Sequence, residues 1–195
     1  MDRLLTGALL GTLALLVASC SSAPSHFYTL NATAAPGAST SKISIAVGPV
    51  SVPGAVDQPQ IVVSTGPNQV TFDEFNRWAS PLQDNIARVV AENLVAMLGT
   101  PRVTLFPLTL DANPDYRVQI GVRNFESTLG KSASMDAVWT VRRSKDGKFE
   151  TGRTSVRETL QDSGYDTLAA AHSQGLARLS QDIADAILTM NRAAP

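Results

Sequence analysis

Side chains able to do chemistry are scarce in this chain. It carries one cysteine, Cys20, and two histidines, His26 and His172, among 195 residues. A metal centre needs several His, Cys, Asp or Glu side chains converging on one point, and so small a supply of the softer ligands points to none. A serine-hydrolase elbow would read Gly-x-Ser-x-Gly between a strand and a helix, and that pattern is absent; Gly164 and Gly175 stand too isolated for a phosphate-cradling loop. Asp57, Asp73, Glu74 and Asp84 could pair as carboxylates for acid–base work, but they fall at expected turns and a helix start, where acids are solvated. No catalytic residue, cofactor-binding residue or metal ligand is assigned, and the chain is predicted not to be an enzyme. His172 is read as a boundary residue beside a helical apolar stripe, with one ring nitrogen satisfied. Phe75-Asn76-Arg77-Trp78 sets two rings and an arginine just before a helix. The rings either plug that helix onto the sheet or form a contact surface, since Trp and Arg are enriched at binding hot spots.

Cys20 is the one residue with a reaction to suggest. An apolar run from Leu4 to Val17 follows the short start Met1-Asp2-Arg3. The run is too short to span a bilayer, which takes about 20 residues, and has the length of a signal-peptide apolar region. Val17-Ala18-Ser19-Cys20 resembles the lipobox of bacterial lipoproteins, in which small residues precede a cysteine whose thiol becomes a thioether to diacylglycerol. Residues 1–19 are thus predicted as a lipoprotein signal peptide and Cys20 as the lipidation site. Several acyl chains, each methylene contributing about 0.8 kcal/mol, hold a protein permanently where one chain does not. Ser21 at the next position resembles lipoproteins passed on to the outer membrane.

The remaining elements have to make one soluble domain. Sixteen basic and seventeen acidic residues leave a net charge of −1, without the clustered Lys and Arg of a nucleic-acid footprint. Residues 20–41, rich in Ser, Ala, Thr, Pro and Gly, are predicted as a lipidated flexible tether with a short strand near 27–30, and residues 42–195 as a single α+β periplasmic domain. Ile43 to Val47 alternates as a half-buried strand. Gly48-Pro49 interrupts it before Val50-Ser51-Val52-Pro53, so this strand lies at an edge or is bulged at Pro49. Gln60 to Val63 and Gln69 to Phe72 read as hairpin arms around Gly66-Pro67-Asn68. Leu82, Ile86, Val89, Val90, Leu94 and Met97 form one helical stripe, opened by Ser80-Pro81 as cap and first helical residue and closed by Gly99. Strands around Tyr116–Val122, Met135–Val141 and Phe149–Leu160 read as an antiparallel meander, with a bulge near Asn124. A second amphipathic helix from about Asp166 to Met190 ends the chain. The fold class is therefore α+β, a largely antiparallel sheet with two long amphipathic helices packed on it.

The stretches Phe27-Tyr28-Thr29-Leu30, Val47-Gly48-Pro49-Val50-Ser51-Val52-Pro53, Asp57-Gln58-Pro59-Gln60-Ile61-Val62 and Phe75-Asn76-Arg77-Trp78-Ala79-Ser80-Pro81-Leu82 resemble the PqiC family, the ABC-type transport auxiliary lipoproteins. Ser80 stands where the family pattern would carry an acid. The resemblance covers nearly all of the chain after Cys20. It implies an outer-membrane lipoprotein on the periplasmic face, lipid-anchored, acting as a non-enzymatic docking subunit of an MCE-type lipid transport system. It further implies an MCE-domain partner and homo-oligomers; lipid contact is a further expectation, and neither a cofactor nor nucleic acid is expected. The alternative is a stand-alone periplasmic lipoprotein that binds a small hydrophobic ligand or assists envelope assembly.

Overall fold

Alternating apolar residues draw strands onto a common buried face, and that is how the main layer forms. The computed structural model describes residues 23–37, 40–107 and 113–192. Among them the order is β1 (His26–Tyr28), β2 (Ile45–Ser51), β3 (Gln60–Gly66), β4 (Gln69–Trp78), α1 (Leu82–Leu98), β5 (Val103–Leu105), β6 (Tyr116–Thr128), β7 (Ser132–Arg143), β8 (Phe149–Thr159) and α2 (Tyr165–Arg192). The strands make two sheets, β1-β4-β3 and β5-β2-β6-β7-β8. The long pairings β3–β4, β6–β7 and β7–β8 are antiparallel; β1–β4, β2–β5 and β2–β6 are parallel. The predicted α+β architecture holds, with its strands divided between two sheets.

Cross-strand register sets the core. Val118 faces Val141, Ile120 faces Trp139 and Val122 faces Ala137, so these residues share the face on which both helices pack. Residues Arg117, Gln119 and Arg123 alternate to the opposite face. The predicted bulge is present between Val122 and Asn124, which returns Phe125 to the buried side. Leu82, Ile86, Val89, Leu94, Leu176, Leu179, Ile183 and Ile187 are almost wholly buried, as the two stripes demanded. At the far end of the sheet, Arg143 donates to both carboxylate oxygens of Asp146 at 3.0 and 2.6 Å and to the Met190 carbonyl at 2.6 Å, closing the last turn of α2. That pairing holds the Asp146 carboxyl down at about 2.

Two local expectations are corrected. Of the two alternatives for β2, the edge position is wrong: the strand lies between β5 and β6. A register shift between Val47 and Val50 places Pro49 where no ladder bond is required. Gly48, at φ 115°, takes a conformation that side chains resist. The N-cap of α1 is Pro81, without a side-chain cap bond, and Ser80 does not cap; Asp84 and Asn85 donate to the Pro81 carbonyl instead. Gly99, at φ 59° and ψ 34°, closes the helix in the left-handed conformation expected of it.

The largest difference concerns the stretch read as flexible. Leu30 is fully buried, and the backbone after it is held by side chains of both helices. Asn31 N–H donates to Ser173 Oγ at 3.1 Å, and the N–H groups of Thr33 and Ala34 both donate to Asn93 Oδ1 at 3.1 and 3.0 Å. Asn93 in turn donates to Ser180 Oγ at 3.2 Å. Gly37 N–H then bonds the Ala96 carbonyl and Ser41 N–H the Gly99 carbonyl, satisfying groups that a helix C-terminus leaves open. Residues 30–37 therefore form a strap on the helices. Composition alone suggested a linker because Ser, Ala and Thr carry too little apolar surface to announce a docked segment.

Candidate functional site

Residues 1–19, read as a signal peptide, and Cys20 lie outside the described residues. What the structure does place is the chain that follows them, and it enters the small sheet. His26, Phe27 and Tyr28 pair in parallel with Asn76, Arg77 and Trp78. The strand predicted near 27–30 is thus β1, slightly earlier than expected. Three of the four sequence segments resembling one family meet here: β1 lies beside Phe75–Trp78, and Trp78 N–H donates to the Pro59 carbonyl at 2.8 Å. An open cleft of ≈ 360 Å³ runs between residues 57–59 and 78–81.

The quartet divides by role. Trp78 is 5% exposed, edge-on to Phe125 at 6.3 Å between centroids; it is the plug that fixes the small sheet to the main core. Phe75 is 45% exposed and plugs nothing. Arg77 is turned back on its own strand, donating through Nε to the Glu74 carbonyl at 2.9 Å, with Glu74 Oε2 3.5 Å from its guanidinium. Asn76 accepts from the Tyr28 hydroxyl at 2.8 Å.

Asp73, expected to be a solvated acid, organises this corner. Its Oδ1 accepts from the N–H groups of Phe75 and Asn76 at 2.9 Å each, and its Oδ2 accepts from the Tyr165 hydroxyl at the start of α2. Burial works against the charge, yet these hydrogen bonds keep the carboxyl below its usual range. Burial, aided by Asp73, pushes the Tyr165 phenol upward, so it remains a donor. Between Asp73 and Arg77 β4 advances four residues while β3 advances one, and the Asp73 turn is what holds that excess in place. The sequence offered no signal for the Asp73–Tyr165 pair, because the two residues come from different elements.

His172 is also deeper than predicted. It is a core residue, 3% exposed, stacked on Phe125 at 3.8 Å and 11°, with Nε2 2.9 Å from Ser127 Oγ. Burial drives its pKa down to about 3, so the ring is neutral. The acids Asp57 and Glu74 are exposed. Among the described residues no three His, Cys, Asp or Glu side chains converge on a metal position, and no helix is long and apolar enough to cross a membrane. Arg88, Asn93 and Gly37, which hold the strap, were not singled out in the sequence.

A family model described as the ABC-type transport auxiliary lipoprotein component matches residues 28–184. A crystal structure of a Xanthomonas campestris protein of family DUF330 superposes with a TM-score of 0.71 at 18% identity, covering 87% of this chain and 99% of that one. A second crystal structure, of a protein described only as uncharacterized, gives a TM-score of 0.69 at 21% identity, covering 85% and 99%. At these identities the two share the fold. A comparison with curated proteins finds no match.

Proposed function

The chain belongs to the ABC-type transport auxiliary lipoprotein component family, and from that premise we propose that it is lipidated on Cys20 and works from the periplasmic face of the outer membrane. There it serves as a non-enzymatic docking subunit of an MCE-type lipid transport system, with an MCE-domain protein as its partner and copies of itself as neighbours. The observation that carries this reading is the family match, which begins eight residues beyond a cysteine preceded by Val17-Ala18-Ser19. The fold is consistent with it, since the first strand starts so soon after Cys20 that the whole domain is tied near its attachment point.

The test has two stages. Labelling cells with a fatty-acid analogue is expected to mark the wild-type chain and leave Cys20→Ala unmarked; equal labelling of both defeats the anchor. Affinity purification of the tagged wild-type chain from crosslinked envelopes is expected to bring down an MCE-domain protein. Recovery of the acylated chain without any such protein would instead favour a stand-alone lipoprotein.

A further inference from the structure

Half of the large apolar side chains that stand exposed among the described residues sit on two adjacent strands. They are Phe27 on β1, 64% exposed, and Val70, Phe72 and Phe75 on β4, at 51%, 46% and 45%. Register shows which way three of them point. Ile61 and Val63 of β3 belong to the core and pair with Asp73 and Thr71; Val62 and Ser64 alternate with them and pair with Phe72 and Val70. Paired residues share a face, so Phe72 and Val70 lie on the side opposite Ile61 and Val63; Val62 on that side is itself nearly covered, and Val70 stands on the rim of a cleft shared with Arg123–Ser127. On β1 the same logic applies: Tyr28 pairs with the buried Trp78, and Phe27, one residue earlier, pairs with Arg77 on the outer face.

This face is also the part of the domain closest along the chain to Cys20. His26 is six residues beyond it, and an extended chain spans at most about 3.3–3.6 Å per residue, so β1 stays within roughly 20 Å of a lipidated Cys20. Fixed that near a bilayer, the exposed rings of Phe27 and Phe72 on this side have the character of an interfacial surface, with rings at the acyl boundary. We propose that the outer face of the small sheet lies on the lipid surface that holds the anchor, so the domain is oriented on the membrane and not only leashed to it. This rests on the anchor at Cys20 proposed above. It makes the β1–β4 face the membrane-proximal side. The turn at residues 144–148 is the distal side, because it follows the strand end paired with Tyr116, whereas the small sheet meets Phe125, some nine residues along β6 and about 30 Å away at strand rise.

The experiment uses the full chain, acylated in cells, purified and placed in phosphatidylethanolamine–phosphatidylglycerol vesicles. With Cys20 acylated, Phe72→Cys or Lys145→Cys supplies the one free thiol for an environment-sensitive fluorophore. Flotation is read first and quenching by nitroxide-bearing lipid second; thermal melting of each variant checks folding, and Val70→Cys replaces Phe72→Cys if the latter fails to fold. Both labelled variants are expected to float, with the position-72 probe quenched at least twofold and the position-145 probe unchanged. Floating protein whose two probes are quenched alike overturns the oriented face. A position-72 probe that is shielded without lipid quenching, and more so at higher protein density, assigns the face to a second copy and also overturns it. Failure of the unlabelled wild-type chain to float strikes the anchor reading itself, and this inference falls with it.

Discussion

His172 is a single imidazole placed where it cannot accept a proton without leaving the core. In the unfolded chain it titrates near the ordinary 6.5, and in the folded chain only at about 3. Between those values the unfolded state holds more protons, so stability is complete above about pH 6.5 and declines as pH falls below it. Asp146 and Asp73 run in the other sense: their depressed carboxyls contribute fully above the ordinary 3.8, and that contribution is lost only as pH falls below it. Urea midpoints measured at pH 7, 6 and 5 should therefore fall on acidification through His172 and not through the two acids. His172→Gln, which retains a polar partner for Ser127, should flatten that dependence. An equal slope in the variant would place the effect elsewhere. The position was legible as one beside an apolar stripe; its stacking on Phe125 was not, because the ring that covers it is carried by another element and turned inward by a bulge.

The strap is an element without secondary structure of its own, and it illustrates what periodicity can and cannot reveal. The stripes of α1 and α2 and the alternation of β6 and β7 announced themselves because each buries a repeating face. Residues 30–37 have no period, and their hold comes from partners on α1 and α2 that are single polar residues in the sequence. Asn93 serves two backbone N–H groups and Ser180 at once. Arg88 reaches the Leu30 carbonyl, Asn85 Oδ1 and Thr29 on one side and Glu92 on the other. At Gly37 a Cβ would stand 2.1 Å from the Met97 carbonyl oxygen, so the strap fits only with glycine there. Gly37→Ala and Asn93→Ala should each free the strap while leaving the sheets intact. Amides from Asn31 to Gly37 should exchange at least tenfold faster, with β6 and β7 still protected. Unchanged exchange in both variants would show that the bonds described do not hold the segment.

For the whole molecule the core unites the sheets and helices, and its principal members were readable from spacing alone. Leu94 and Ile183 are both fully buried, each on the inward stripe of its helix. Truncating either to Ala should cost roughly 2–5 kcal/mol in denaturant titrations, and undiminished stability in both would contradict the packing. The division into two sheets was not readable, since it depends on which edge a hairpin joins, and the hairpin arms were identified without their partner β1. The strap also changes what the attachment at the N-terminal end can do. Its fastenings at Leu30, Asn31, Thr33 and Gly37 follow one another along the chain, so a pull applied from Cys20 meets them in succession. Released from β1 through Gly37, the chain would gain about 35–40 Å of reach, and Leu30, fully buried in the docked state, would leave the core. With Cys20 lipidated as proposed above, the leash would have two lengths, one set by the docked strap and a longer one reached only once the strap has let go.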